Sequence, residues 1–333
     1  MEIRNKLQIP IDPILIEKMI LALVLLENLY ISGLDFIFKG GTCFLLLLGK
    51  PKRFSIDIDI VINMDESLDK ALQSIIQHGV FHRVEEDNRP GVIPKRHFKF
   101  FFHSVIENRE SSILLDVLFD KDPYLAYQEI SLDTEFVALE GEPSLIRCPV
   151  VECLLGDKLT AFAPNTTGIL YNSNKELEII KQLFDIGMLF NEIVDINLVA
   201  DTFNVVASKE LAYRRLTDLS TDDVLTDIFE TACLIGMRGF GSDRKFTELQ
   251  SGIRRIAGYI YAERFTLDSA ILCAAKAAYL SILIRSKAME IYRFDPNIDL
   301  SDWVIEGQKH NKLNKVKKTS PEAFYYFYQA IED

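Results

Sequence analysis

The sequence predicts an α+β protein, with strands and helices interleaved to about residue 150 and a helical region from there to the end. Two observations carry that prediction. Period-two runs rich in β-branched and aromatic residues, "SIDIDIVI", "HFKFFFHSV" and "SSILLDVLFD", fall between helical segments before Pro149. After Pro149 the apolar spacing turns helical and stays so through "SAILCAAKAAYLSILI". The order strand, helix, strand, helix, strand, strand suits one mixed sheet carrying helices. The 333 residues therefore divide into an N-terminal domain, residues 1–150, and a helical domain, residues 151–333.

Each element has a local reason. Pro10 and Pro13 limit the first helix to about Ile14–Ile31, and Gly33 ends it. "DFIF" reads as a short strand, and Gly40-Gly41-Thr42 as a tight turn into the helix "TCFLLLLG", stopped by Gly49 and Pro51. Asp65 and Glu66 open a helix running to about Gln77. "IENRE" joins two strands as a hairpin, and Glu129 to Pro149 holds short strand-like pieces. "VVECLLGDKLTAFA" is helical, "PNTTG" breaks it, and "KELEIIKQLFDIGMLFNEI" resumes the period. "RFDPNIDLSDW" reads as a loop, and Ser, Pro and Glu open a last helix in "TSPEAFYYFYQAI".

Composition narrows the classes of function. The chain is 48% hydrophobic and 26% charged, as globular proteins are. A net charge of -12 argues against a general, sequence-blind nucleic-acid binder and leaves room only for a local basic patch. Five cysteines form no CxxC pair and lie in apolar runs, which predicts free, buried thiols in a reducing cytosol and no zinc site. No signal-peptide arrangement opens the sequence. "MILALVLLENLYISGL" is interrupted by Glu27 and Asn28 and reads as a core helix, so a cytoplasmic protein without a membrane partner is expected.

The chemistry concentrates in "FKGGTCFLLLLGKPKRFSIDIDI". Residues two apart in a strand share a face, so Asp57 and Asp59 project together while Ile56, Ile58 and Ile60 face a core. Paired carboxylates repel unless a cation or proton lies between them, and all-oxygen ligands suit Mg²⁺ or Mn²⁺. The alternative is a solvated edge strand that happens to carry two acids. Gly40 and Gly41 let the backbone approach a ligand, and the helix behind them offers free amides to an anion.

Gly-Gly-Thr followed after a helix by "RFSIDID" resembles the signature of polymerase-β-like nucleotidyltransferases. More closely, it is similar to the AbiEii/AbiGii nucleotidyltransferase toxins, and "CLLGDKLTAFA" and "KQLFDIGML" look like that family's later motifs. The resemblance implies that Gly40, Gly41 and Thr42 hold the phosphates of an NTP, aided by Ser55 and Arg53. It implies that Asp57 and Asp59 bind catalytic Mg²⁺ (or Mn²⁺), with Asp116 as the third carboxylate. Lys158 would face the phosphates, and Asp185 is the later motif aspartate. Both would be contributed by the helical domain. The implied activity is transfer of NMP to an acceptor, RNA and foremost tRNA, by a toxin with a cognate antitoxin. Two alternatives remain: the same fold modifying a protein hydroxyl or acting as a phosphotransferase, and a non-catalytic nucleotide-binding module.

Other clusters carry less. His97 and His103 lie six residues apart on a strand, about 20 Å by the usual rise, and so cannot share one ion. Lys99 shares their face. Lys39, Lys50 and Lys52 surround the proposed pocket and read either as ordinary surface charge or as guides for triphosphate or an RNA phosphate. "KHNKLNKVKK", followed by "FYYFYQ", suits either an RNA contact or a solvated loop before a packing helix. "GMRGFGSDRKF" reads as a loop and "DLSTDD" as an acidic helix start.

Overall fold

Sequence order already separates the strand-rich part from the helical part, and a computed structural model divides the chain in two. One unit spans Met1–Val150 with Tyr259–Glu263, and the other Val151–Gly258 with Arg264–Asp333. The structure describes residues 12–49, 52–63, 68–88, 93–121, 124–133, 141–240, 243–261 and 264–332. Pro10, Lys50, Pro51, Asp65, Glu66 and Gly241, used in the expectations above, lie outside the described residues.

The first unit holds α1 (Pro13–Ile31), β1 (Ile37–Lys39), α2 (Gly40–Leu47), β2 (Ile58–Ile62), α3 (Leu68–Gln77) and β3 (Arg83–Glu86). β4 (Lys95–Ser104), β5 (Arg109–Phe119), β6 (Tyr127–Ser131) and β7 (Leu145–Pro149) follow. Five strands form a sheet in the order β1-β2-β5-β4-β3, parallel only between β2 and β5. β6 and β7 pair separately. The edge strand β3 escapes the sequence reading because "RVEE" lacks an alternating apolar face.

Register explains the two faces of this sheet. Ile58 and Ile60 of β2 lie opposite Leu115 and Val117 of β5, and Phe98 and Phe100 of β4 lie opposite Leu115 and Ile113. All seven are buried, making one face a continuous apolar layer. α1 packs against β5 and β2, and Glu17 of that helix accepts from the Ser104 hydroxyl and the Val105 N–H, both at 2.6 Å. The strand with the aspartates begins at Ile58, so Asp57 precedes it instead of lying within it.

The second unit contains α4 (Val151–Ala161), α5 (Glu176–Glu192), α6 (Ile196–Tyr213), α7 (Thr221–Gly236), α8 (Asp243–Ile256) and α9 (Leu267–Ser286). A 3₁₀ turn (Asn311–Lys315), α10 (Val316–Thr319) and α11 (Pro321–Glu332) complete it. Capping boxes at Ser220/Asp223 and Thr266/Ser269 open α7 and α9, so "DLSTDD" is a helix start. α9 is long and apolar enough to cross a membrane by length and composition, but 72% of its apolar window is buried inside the protein, packed against α5, α6, α7 and α11. Phe324, Tyr325, Tyr326 and Phe327 of "FYYFYQ" are core residues, with Trp303 stacked 5.7 Å from Tyr325. All five cysteines are free and buried.

Candidate active site

The sheet face opposite the apolar layer carries the acids. Across four neighbouring strands, register aligns Lys39 of β1 with Asp59 of β2, Asp59 with Asp116 of β5, and Asp116 with His97 of β4. Two carboxylates thus lie side by side, flanked by a basic group on each side. His97 Nδ1 is 2.7 Å from Asp116 Oδ1, a spacing at which the ring N–H donates to the carboxylate. Asp59 is half-buried, while Ile58 and Ile60 on either side are fully buried and anchor it.

Gly40 and Gly41 bring backbone onto this row. Gly40 has φ +80, a conformation that favours glycine, and a Cβ there would overlap the Asp59 carboxylate. A Cβ on Gly41 would lie 2.6 Å from Arg53 Nη2 and 2.8 Å from Ser55 Oγ. The turn therefore closes directly over the Asp59 carboxylate, the Arg53 guanidinium and the Ser55 hydroxyl. Helix α2 starts at Gly40, so the amides of its first turn point out of the same turn. Thr42 is buried, and its hydroxyl donates to the Asp57 carbonyl at 2.6 Å. It fastens the segment that carries Asp57.

A second device fixes the "RFS" segment. Arg53 bridges Ile260, the Phe54 N–H donates to the Tyr259 carbonyl at 2.7 Å, and the Tyr261 N–H donates to the Lys52 carbonyl at 3.1 Å. The Phe54 and Tyr261 rings lie 4.6 Å apart in a cluster with Ile16 and Met19 of α1. Arg53 is buried, its Nη1 donating to the Phe54 carbonyl at 2.9 Å. Burying a guanidinium this deeply is costly unless its donors are used, as they are in holding a loop or an anion.

Lys158 and Asp185 lie in the second unit, where they meet each other. Lys158 Nζ of α4 is 2.9 Å from Asp185 Oδ2 of α5 and donates to Gln182 Oε1 at 3.0 Å. Asp185 is fully buried and Lys158 nearly so.

The chain matches the family model described as nucleotidyl transferase AbiEii toxin, type IV TA system, over residues 24–246. That is two thirds of its length. The chain belongs to the AbiEii nucleotidyltransferase toxin family. The AbiEii match spans the Gly-Gly turn, Asp57, Asp59, Asp116, Lys158 and Asp185. No curated protein matches the chain. Among solved structures it is similar to JHP933 from Helicobacter pylori, at 14% identity and a TM-score of 0.46, covering 84% of this chain and 96% of that one. A putative nucleotidyltransferase from H. pylori gives 15% identity and a TM-score of 0.41, covering 81% and 96%. An antigenic nucleotidyltransferase-like protein from Paracoccidioides brasiliensis gives 16% and 0.37, covering 61% and 91%. As an AbiEii member the chain is a nucleotidyltransferase toxin of a type IV toxin–antitoxin system, which implies a nucleotide substrate and a cognate antitoxin.

Nucleotidyltransferases generally use a divalent metal, and the acids here offer only oxygen donors, the chemistry that suits Mg²⁺ or Mn²⁺. Among the described residues no three His, Cys, Asp or Glu side chains converge into a ready cage.

Two contributors, His97 and the Tyr259–Tyr261 return, escape the sequence reading, which places Lys39 around the pocket without its partner. His97 was weighed only against His103, yet its partner is across the hairpin. Pairing Ser104 with Arg109 around "IENRE" counts back to His97 opposite Asp116, so placing the turn gives the contact. Lys39 opposite Asp59 needs the β1–β2 register. The Tyr259–Tyr261 return carries no signal at all, because nothing local ties it to residues 52–54.

Proposed function

We propose that this AbiEii toxin transfers NMP from an NTP to RNA, with tRNA the leading acceptor, in a Mg²⁺-dependent reaction (or with Mn²⁺) in the cytoplasm. One observation carries the reading: the Gly40-Gly41 backbone lies against the Asp59 carboxylate and against Arg53 and Ser55, so groups suited to phosphate and to metal share one wall. The main-chain amides at the start of α2, with Ser55 and Arg53, hold the triphosphate. With Asp116 as the candidate third carboxylate, Asp57 and Asp59 would hold the ion. When bound, it supplies charge stabilisation to the attacking and leaving oxygens. The acceptor oxygen attacks the α-phosphorus, the bond from that phosphorus to the bridging oxygen breaks, and pyrophosphate leaves. Asp116, held by His97, either completes the ion's ligands or takes the acceptor hydroxyl's proton. Thr42 keeps Asp57 in place through its carbonyl. The family resemblance assigns the Lys158 ammonium to the phosphates, and the salt bridge to Asp185 would set its position. Five free, buried thiols suit a reducing compartment.

Incubation with each labelled NTP, Mg²⁺ and total RNA tests the reading, with Asp57→Ala as control. Label entering RNA with the parent and not with Asp57→Ala is the expected result. Label in protein alone would overturn the RNA acceptor, and equal labelling by Asp57→Ala would overturn the metal site.

A further inference from the structure

We infer that a cavity of about 230 Å³ in the helical unit is a docking pocket for a single-stranded segment of the acceptor RNA, separate from the glycine-turn site. The inference rests on the RNA-acceptor reading above. Three stretches that the transfer chemistry leaves unused meet here: "PNTTG" with the following Tyr171, "GMRGF", and "KHNK". The volume is below the roughly 300–1,000 Å³ of sites for drug-sized ligands, so it admits a single ring-sized group and not a whole nucleoside triphosphate.

The interior is built for such a ring. Met237 and Leu234 are among its apolar lining residues, and Asn165 and Tyr171 among its polar ones. Tyr171 is 9% exposed, and its hydroxyl has only a loose neighbour in the Thr231 side chain, with no well-formed hydrogen bond. A buried hydroxyl in that condition costs free energy that a ligand's acceptor or donor would recover. The Asn165 loop is rigidly seated, since Asp227 accepts from the Asn165 N–H at 2.7 Å and from the Thr166 hydroxyl at 2.9 Å.

The rim supplies cations and a half-exposed aromatic ring. Lys245 Nζ donates to Asn165 Oδ1 at 2.6 Å and lies 5.2 Å from the Tyr171 ring centroid. Lys309 is 71% exposed and paired with Glu230, the acidic residue of the lining. Lys312 lies 3.2 Å from the centroid of Phe240, a phenylalanine that is 50% exposed. Lysines beside an exposed ring match what a single strand offers: phosphates for the ammoniums and a base to stack. The patch is notable on a chain of net charge -12, where lysines brought together from α8 and the 309–312 segment oppose the overall sign.

Binding of a fluorescent single-stranded oligoribonucleotide to the full chain, followed by anisotropy across a salt series, tests the inference. Phe240→Ala and Lys245→Gln alter partly exposed positions, and Lys309→Gln provides a third variant should either misfold by circular dichroism. Each is expected to weaken RNA binding about tenfold or more, the lysine variants with a shallower salt dependence. Asp57→Ala, which tests transfer, should bind RNA as the parent does. Parent-like RNA binding by the folded pocket variants, no binding by the parent, or capture of a protein acceptor by the same rim would each overturn the pocket. Loss of transfer by Asp57→Ala with RNA binding intact separates this outcome from failure of the transfer reading.

Discussion

Gly40 is the residue on which the site turns most sharply. Its positive φ and its contact with the Asp59 carboxylate make Gly40→Ala strained on two counts. The expected cost is about 1–3 kcal/mol in stability, with transfer reduced roughly 10²-fold because small displacements of aligned groups are expensive. Thermal melts and transfer assays on the same preparation read both. Lys158 tests a different point. Lys158→Met strips the ammonium from a fully buried carboxylate and should destabilise by about 3–5 kcal/mol. Lys158→Met/Asp185→Leu should recover much of that loss without restoring transfer, as chemical denaturation and assay would show. Asp227 gives a pH signature. Burial raises its pKa, partly offset by hydrogen bonds from Asn165, Thr166 and Thr231. A raised folded pKa means its contribution to stability is present below the ordinary aspartate value and is lost as pH rises through the folded value. Asp227→Asn should remove that pH dependence from unfolding curves taken across this window.

At the scale of elements, the return segment at Tyr259–Tyr261 holds the "RFS" loop to α1. Tyr261→Ala should cost about 3–5 kcal/mol by opening the cluster around Phe54, and should lower transfer because Arg53 and Ser55 lose their support. Calorimetry with the transfer assay would check it. Comparison with the sequence shows what kind of signal each element left. α1, the hairpin of β4 and β5, and α11 were legible because their patterns are local: prolines, alternation, a capping serine. The glycine turn was legible for the same reason, whereas the expected strand pairing of Asp57 with Asp59 was not, because β2 begins only at Ile58. β3 was not, since an exposed edge strand has no apolar alternation. The His97–Asp116 contact follows only once register is counted back from the hairpin turn, and the Lys158–Asp185 contact depends on helix packing, which no single window encodes. "FYYFYQ" was ambiguous because aromatic rings serve a core and a stacking surface equally well, and here burial assigns them to the core.

For the whole molecule, the apolar layer of the sheet holds the acids on its opposite face. Ile58 and Ile60 are buried so that Asp59 is presented, and β5 delivers Asp116 beside it while β4 delivers His97. Family membership makes the protein a nucleotidyltransferase toxin, and the central claim is that this row of acids supports attack of the acceptor at the α-phosphorus, which moves to the acceptor as pyrophosphate leaves. Parallel reactions with NTP labelled at the α-phosphate or at the γ-phosphate test it most directly. α-label retained on the acceptor, γ-label released as pyrophosphate, and loss of both signals in Asp59→Asn is the predicted result. γ-label retained on the acceptor, or undiminished transfer by Asp59→Asn, would contradict it.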